Sequence, residues 1–219
     1  MIIHYLRTNI FSLILIFSFG LLSCISSHRN HRAKGNSENI SSSTSGFDSL
    51  GAEVEFEDFD SLVRIYEDPE RENWQSPDLI LQKMGNLTGK TVADIGVGTG
   101  YFAFRLINHG ANVIGIDIDK RFLDYIEERK AELSPLIASK LVTRLSLPES
   151  PSLNSSEVNW VLIVNTYHFL NNRVSYLKKL LTSLKPGGKI IIVDFRKGYS
   201  PVGPSESEKV PTGVITGRR

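Results

Sequence analysis

Past residue 60 the chain alternates between short apolar runs and longer amphipathic stretches. Residues 90–95 (KTVADI) form a β-rich run that enters a glycine cluster. Residues 101–109 place Phe102, Leu106 and Ile107 at helical spacing, and Gly110 follows where a C-terminal cap glycine belongs. Residues 111–117 (ANVIGID) predict a second strand, and 120–133 a charged amphipathic helix with Phe122 and Ile126 inward. A weaker third strand is expected at 141–145. The fourth, 158–164 (VNWVLIV), is apolar nearly throughout, as a strand covered on both faces is. Residues 172–184 set Val174, Leu177, Leu180, Leu181 and Leu184 on one helical stripe, which breaks at Lys185-Pro186-Gly187-Gly188. A fifth strand, 189–195 (KIIIVDF), follows. This alternation predicts an α/β fold, a doubly wound and mostly parallel sheet joined by right-handed crossovers. Ligands of such sheets sit beyond the strands' carboxyl ends, which here carry Asp94, Asp117, Asn165 and Asp194.

The first sixty residues follow a different pattern. His4 and Arg7 precede an apolar run at 10–22 (IFSLILIFSFGLL) that spans roughly 20 Å as a helix, short of the ~30 Å hydrocarbon core. That is the pattern of a signal peptide or signal anchor. The run closes on Leu21-Leu22-Ser23-Cys24, which resembles a bacterial lipobox, and Cys24 is the chain's single cysteine. The resemblance implies a lipoprotein signal peptide over 1–23 and lipidation of the Cys24 thiol. It implies attachment to a membrane of the bacterial cell envelope, periplasmic or outer; an unprocessed signal would leave the domain facing the cytoplasm. Residues 26–49 are rich in Ser, Asn and Gly, so 24–60 is expected to be a flexible linker. The globular domain is expected over 61–200, with an irregular tail at 201–219.

Asp94-Ile95-Gly96-Val97-Gly98-Thr99-Gly100 ends a strand and opens a helix, the context a cofactor loop requires. A dinucleotide fingerprint would need a glycine at 101, which is Tyr. A carboxylate at position 94 would repel a pyrophosphate but suits an ammonium. Asp117 ends the second strand, where it can accept both hydroxyls of a ribose. An amine and a ribose without phosphate point to S-adenosylmethionine.

On these residues the chain resembles the class I S-adenosylmethionine-dependent methyltransferases from about Ile65 to Asp194. The glycine loop with Asp94 is similar to that family's first motif, Asp117 to its ribose acid, and Leu184-Lys185-Pro186-Gly187-Gly188 to its turn before strand five. Asn165-Thr166-Tyr167-His168-Phe169 resembles a bacterial subgroup that ends strand four in Tyr-His. Tyr66 through Pro77, with Arg71, Trp74 and Gln75, resembles the same subgroup's leader over the cofactor. The resemblance implies cofactor contacts from Asp94, Gly96, Val97, Gly98, Thr99, Gly100, Asp117, Ile118, Ser146 and Asn165. It implies catalytic work by His168 as a neutral-pH base, with Tyr167 beside it and Asp194 on the neighbouring strand end. A structural, hydrogen-bonded His168 is the alternative.

Two departures qualify the match. Where the family often carries an acid after strand three, this chain reads Leu145-Ser146-Leu147-Pro148-Glu149, leaving Ser146 or Glu149 as the adenine contact. After Phe195 come Pro201, Pro204 and Pro211 in place of a helix and two strands, so a truncated sheet with an uncovered edge is expected.

Composition narrows the partners. The 219 residues carry a net charge of +1, with 41% hydrophobic and 22% charged residues, ordinary values for a globular domain. No basic stripe draws in nucleic acid, and one cysteine excludes a multi-cysteine zinc site. The chain therefore reads as a methyltransferase acting on a small-molecule or lipid-proximal acceptor, with no metal. A lipoprotein keeping the fold as a degenerate binding module is the alternative.

Overall fold

The computed structural model describes residues 2–7 and 58–211. The lipidation site expected at Cys24, most of the signal and linker, and residues 212–219 lie outside the described residues.

Five parallel strands form the body of the sheet: β2 (Thr91–Ile95), β3 (Asn112–Asp117), β4 (Leu141–Leu145), β5 (Val158–Val164) and β6 (Leu184–Asp194). A sixth, β1 (Ile2–Arg7), lies at one edge, and the spatial order is β1-β6-β5-β2-β3-β4. The order reverses between β5 and β2, so the switch point falls beside the strand that carries the glycine loop.

The helices are α1 (Phe59–Tyr66), α2 (Arg71–Gln75), α3 (Pro77–Met84), α4 (Tyr101–Asn108), α5 (Lys120–Lys130), α6 (Pro135–Ala138) and α7 (Arg173–Ser183). Two apolar clusters flank the sheet. One joins Ile80, Leu106, Ile107 and Ile126 to Val92, Leu162 and Ile191. The other joins Tyr176 and Leu180 to Ile163, Ile190 and Ile192. Successive side chains of β6 thus enter opposite layers, and Ile190, Ile191 and Ile192 are all wholly buried. Each such side chain contributes roughly 1.5–3 kcal/mol relative to exposure.

The structure departs from the expectations in four places. The apolar stripe of α7 is centred on Tyr176, Leu180 and Ser183, leaving Val174 67% exposed. Tyr176 and Leu180, one turn apart, face the sheet, and Val174 lies off that line. The helix ends before residues 185–188 as expected, but the strand expected from 189 starts earlier: those residues belong to β6, whose pairing with β5 shifts register between Val158 and Trp160. That irregularity is where glycine is required: a Cβ on Gly188 would lie 2.8 Å from the Lys185 carbonyl oxygen. The leader, for which no helix is predicted, forms α1, α2 and α3.

Finally, the outer edge of β6 is not bare. Ile2–Arg7, assigned above to the signal, pairs antiparallel with it from Ile2 opposite Asp194 to Arg7 opposite Lys189. An edge of unpaired amides and carbonyls accepts any available extended segment, and this one comes from the chain's own N-terminus.

Candidate cofactor and active site

The glycine loop is tied to the neighbouring strand before any ligand is considered. The amides of Gly96 and Val97 both donate to the Ile116 carbonyl, at 2.8 and 3.0 Å, and Gly100 donates to Val97 at 2.9 Å. Gly96, Gly98 and Gly100 all have positive φ, at 70°, 52° and 85°. A Cβ on Gly96 would collide with the Thr166 side chain, and one on Gly98 would come 3.3 Å from the Tyr66 ring. The loop is thus held between the turn after β5 and the leader. Val97 is buried against Gly115 of β3.

Asp117, at the tip of β3, accepts the Gly98 amide at 2.9 Å and the Asp119 amide at 3.0 Å. Burial pushes its pKa up, and the two amides oppose that shift. The next residue, Ile118, is 59% exposed although apolar, and Ser146 is buried with its amide on the Asp117 carbonyl at 2.9 Å. Asp117, Ile118 and Ser146 therefore lie together across the β3 and β4 tips. Glu149, the other adenine candidate, is exposed on the following turn.

Asp94 is buried at the tip of β2. Burial lifts its pKa to about 7, the Arg71 charge pulls it down, and Asp117 pushes it up. Close by are buried polar atoms without a partner among the described residues: the Thr99 hydroxyl, the Tyr101 hydroxyl, Arg71 Nε and Asn165 Oδ1. Buried polar groups are nearly always bonded, so a group of orphans around one loop marks a place where a polar ligand completes the bonding. An amino acid joined to a nucleoside fits this donor and acceptor set.

The turn after β5 brings the second set together. Asn165 adopts a left-handed φ of 53°, and its Nδ2 donates to Gln75 Oε1 at 2.6 Å. His168 is held twice by Asp194. Its amide donates at 3.1 Å, and its Nδ1 lies 3.1 and 3.2 Å from the two carboxylate oxygens. Arg173 braces the turn by donating to the Tyr167 and His168 carbonyls at 3.1 and 2.7 Å. Tyr167 is not beside His168 in a site. It is 2% exposed and packs with Tyr176, Leu180 and Ile190 in the apolar cluster on one face of the sheet. The short 3-10 turn at Tyr167–Phe169 rotates successive side chains by about 120°, so Tyr167 enters the core while His168 meets Asp194.

Arg71, Gln75 and Tyr101 were not singled out as site residues from sequence. For Arg71 and Gln75 the signal was the leader resemblance, which named them without giving them an atom to contact; Tyr101 entered only as the residue standing where a dinucleotide loop needs glycine.

Residues 93–192 match the family described as a methyltransferase domain. The chain is 29% identical to the tRNA U34 carboxymethyltransferase of Klebsiella pneumoniae over 134 residues, 60% of this chain and 39% of that protein. It is 27% identical to the demethylmenaquinone methyltransferase of Lactococcus lactis over 150 residues, 66% of this chain and 57% of that protein. The chain thus spans about two fifths of the first relative's length. The fold matches a S-adenosylmethionine-dependent methyltransferase structure from Aquifex aeolicus with a TM-score of 0.65 at 23% identity, covering 73% of this chain and 86% of that one. It also matches the Haemonchus contortus phosphoethanolamine N-methyltransferase 2, solved with S-adenosylmethionine, with a TM-score of 0.53 at 23% identity, covering 62% and 31%. With its switch point beside the glycine loop and an acid at the tip of each of the two strands behind it, the chain has the Rossmann-like fold of the S-adenosylmethionine-dependent methyltransferases, and residues 93–192 match the methyltransferase-domain family across this sheet.

Proposed function

We propose that the protein binds S-adenosylmethionine across the β2 and β3 tips and transfers its methyl group to a small-molecule acceptor that docks toward His168. The observation that carries this reading is the pairing of an intact glycine loop with two buried strand-tip acids, Asp94 and Asp117. A module that had lost its ligand would have no reason to keep both charges out of water, each at a desolvation cost.

When bound, S-adenosylmethionine supplies an electrophilic methyl on a sulfonium, whose in-line displacement leaves a neutral thioether. The chain's own contribution is position and charge. Asp117 accepts from the ribose hydroxyls, and Asp94 faces the ammonium. Asp194 accepts from His168 Nδ1, which leaves Nε2 as the basic nitrogen, ready to take a proton from an acceptor O–H or N–H. A lipid tether at Cys24 would hold the domain at a membrane surface and bias it toward lipid-proximal acceptors. The net charge of +1 gives no field for a nucleic-acid substrate.

Calorimetric titration of S-adenosylmethionine into the wild type and Asp117→Ala tests the reading. Binding that weakens by ~10-fold or more in the variant, roughly 1.4 kcal/mol, supports it. A folded wild type that does not bind overturns it.

A further inference from the structure

His168, the base of the proposed reaction, is covered. Its side chain is 4% exposed and that of Asp194 5%. A general base must come within about 2.6–3.2 Å of the proton it removes, directly or through one water, and an imidazole this buried meets no acceptor. The turn beneath it is fixed, because Arg173 donates to the Tyr167 and His168 carbonyls and Tyr167 is anchored in the apolar cluster. Access therefore depends on what lies over the ring.

The chain that follows β6 lies there. From Phe195 to Pro211 it has neither helix nor strand. Phe195 packs on Trp74 with ring centroids 5.8 Å apart, and Gly203 lies so close to the Phe195 ring that a Cβ would collide with it. Further on, Val210 is buried in the cluster that holds Tyr167 and Tyr176. Between these two anchors the Glu208 carboxylate accepts from the Ser205 amide at 2.8 Å and lies within electrostatic reach of His168. The path from Gly203 to Val210 thus crosses the β6 tip beside the turn that carries the base.

This segment is closed on itself rather than woven into the domain. Among the described residues, the only backbone-to-backbone hydrogen bond made by 196–211 joins the Glu208 amide to the Ser205 carbonyl, at 3.2 Å. Glu206 accepts from the Gly198 amide at 2.8 Å, and the buried Lys209 Nζ donates to the Gly198 carbonyl at 2.7 Å. Residues 198–209 are then an Ω-loop, its ends pinned together so that it can move as one piece. Gly198 has a φ of 117°, and nothing lies within 4 Å of a Cβ built there, so the backbone has room to rotate. Lys209 is a costly closure, since its ammonium is out of water with Glu206 no nearer than 3.7 Å. Few backbone bonds and imperfectly satisfied burial are the marks of a segment that opens locally.

We propose that residues 196–210 form a strap closed over His168, held down by Val210 and Lys209, which lifts to admit the methyl acceptor and closes again to keep water from the transfer. This rests on the acceptor-side role proposed for His168 and names the element that controls access to it.

Diethyl pyrocarbonate labelling of the full chain tests the strap, with each histidine read separately by mass spectrometry and the exposed His109 as internal standard. In wild type, His168 should react at least ~10-fold more slowly than His109, and in Val210→Asp it should approach the His109 rate. Phe169→Ala is the control, since the Phe169 and His168 rings have centroids 4.0 Å apart. A wild-type His168 as reactive as His109 overturns the strap. So does a rate that Val210→Asp leaves unchanged, whatever Phe169→Ala does. If Val210→Asp does not fold, Lys209→Met decides by the same labelling: faster reaction at His168 supports the strap and an unchanged rate overturns it. S-adenosylmethionine affinity should stay within about 3-fold of wild type in the released variant, and a larger loss overturns the acceptor-side placement. A wild type that binds no S-adenosylmethionine overturns the cofactor reading, while the labelling still decides the strap.

Discussion

The side-chain amide of Asn165 donates to the Gln75 oxygen at 2.6 Å, and Gln75 is wholly buried. One hydrogen bond thus joins the turn after β5 to the end of α2, locking the leader to the turn that carries His168. Gln75→Leu keeps the volume and removes the acceptor, leaving the Asn165 amide donor buried beside its already unpartnered Oδ1. We expect a loss of about 1–3 kcal/mol in chemical denaturation, and weaker cofactor binding from a loosened leader. Unchanged denaturation midpoints would show that water replaces the bond.

If Asp94 holds the cofactor's ammonium as proposed, cofactor binding depends on pH. Its folded pKa, about 7, is above that of the unfolded chain. Folding therefore favours the protonated acid: stability from this group is fullest below the unfolded pKa near 3.8 and is lost as pH rises to about 7. Binding of an ammonium has the opposite sign, because it needs the ionised form. Affinity should rise from pH 6 to 8, with proton release on binding near pH 6.5, visible as buffer-dependent calorimetric enthalpies. Asp94→Asn should flatten the profile.

Gly96→Ala meets two penalties at once. Alanine is disfavoured at φ 70°, and the added methyl meets Thr166. We expect roughly 1–3 kcal/mol of destabilisation together with weakened cofactor binding. Adding Thr166→Gly should recover the steric part only, and full recovery would mean that the backbone conformation costs nothing.

His168→Gln should lower kcat by about 10²–10⁴-fold for an acceptor that must lose a proton, with cofactor affinity nearly unchanged. Asp194→Asn should lower kcat as well, because the neutral amide no longer fixes the orientation and tautomer of the His168 ring through Nδ1. If His168→Gln instead lowers the melting temperature without changing kcat, the His168–Asp194 pair is structural.

Much of this was legible from the chain, and the limits have physical causes. The strands at 91–95, 112–117 and 158–164 were readable because strands buried on both faces carry no polar alternation, and the loop because its glycines sit between a strand and a helix. Asp117 was singled out by its position at the strand tip alone, and the structure puts its buried carboxylate on the Gly98 amide of the loop. Tyr167 was misplaced because sequence adjacency to His168 says nothing about a 3-10 turn that sends neighbours to different layers. Arg71 was passed over as a site residue because its buried, unpartnered Nε beside the Tyr101 ring shows only in coordinates. The leader's short helices have too few turns for periodicity to register. The edge strand at Ile2–Arg7 was read as part of a targeting signal, because pairing with β6 is a long-range event that leaves no local trace.

Removing residues 2–7 should expose the β6 edge. Faster amide exchange along 189–194 and concentration-dependent association in light scattering are expected. A monomeric variant with unchanged exchange would mean that β1 contributes nothing to the sheet.

The pairing of Ile2 with Asp194 also has a consequence in time. Its two partners are nearly the full chain apart, so β1 leaves the ribosome first and finds its partner last. At ordinary synthesis rates of 5–20 residues per second, that wait is about 10–40 s. Through that interval residues 2–7 lack the partner strand that the folded sheet gives them. The rate at which β6 is made therefore sets the earliest moment at which this edge of the sheet can close.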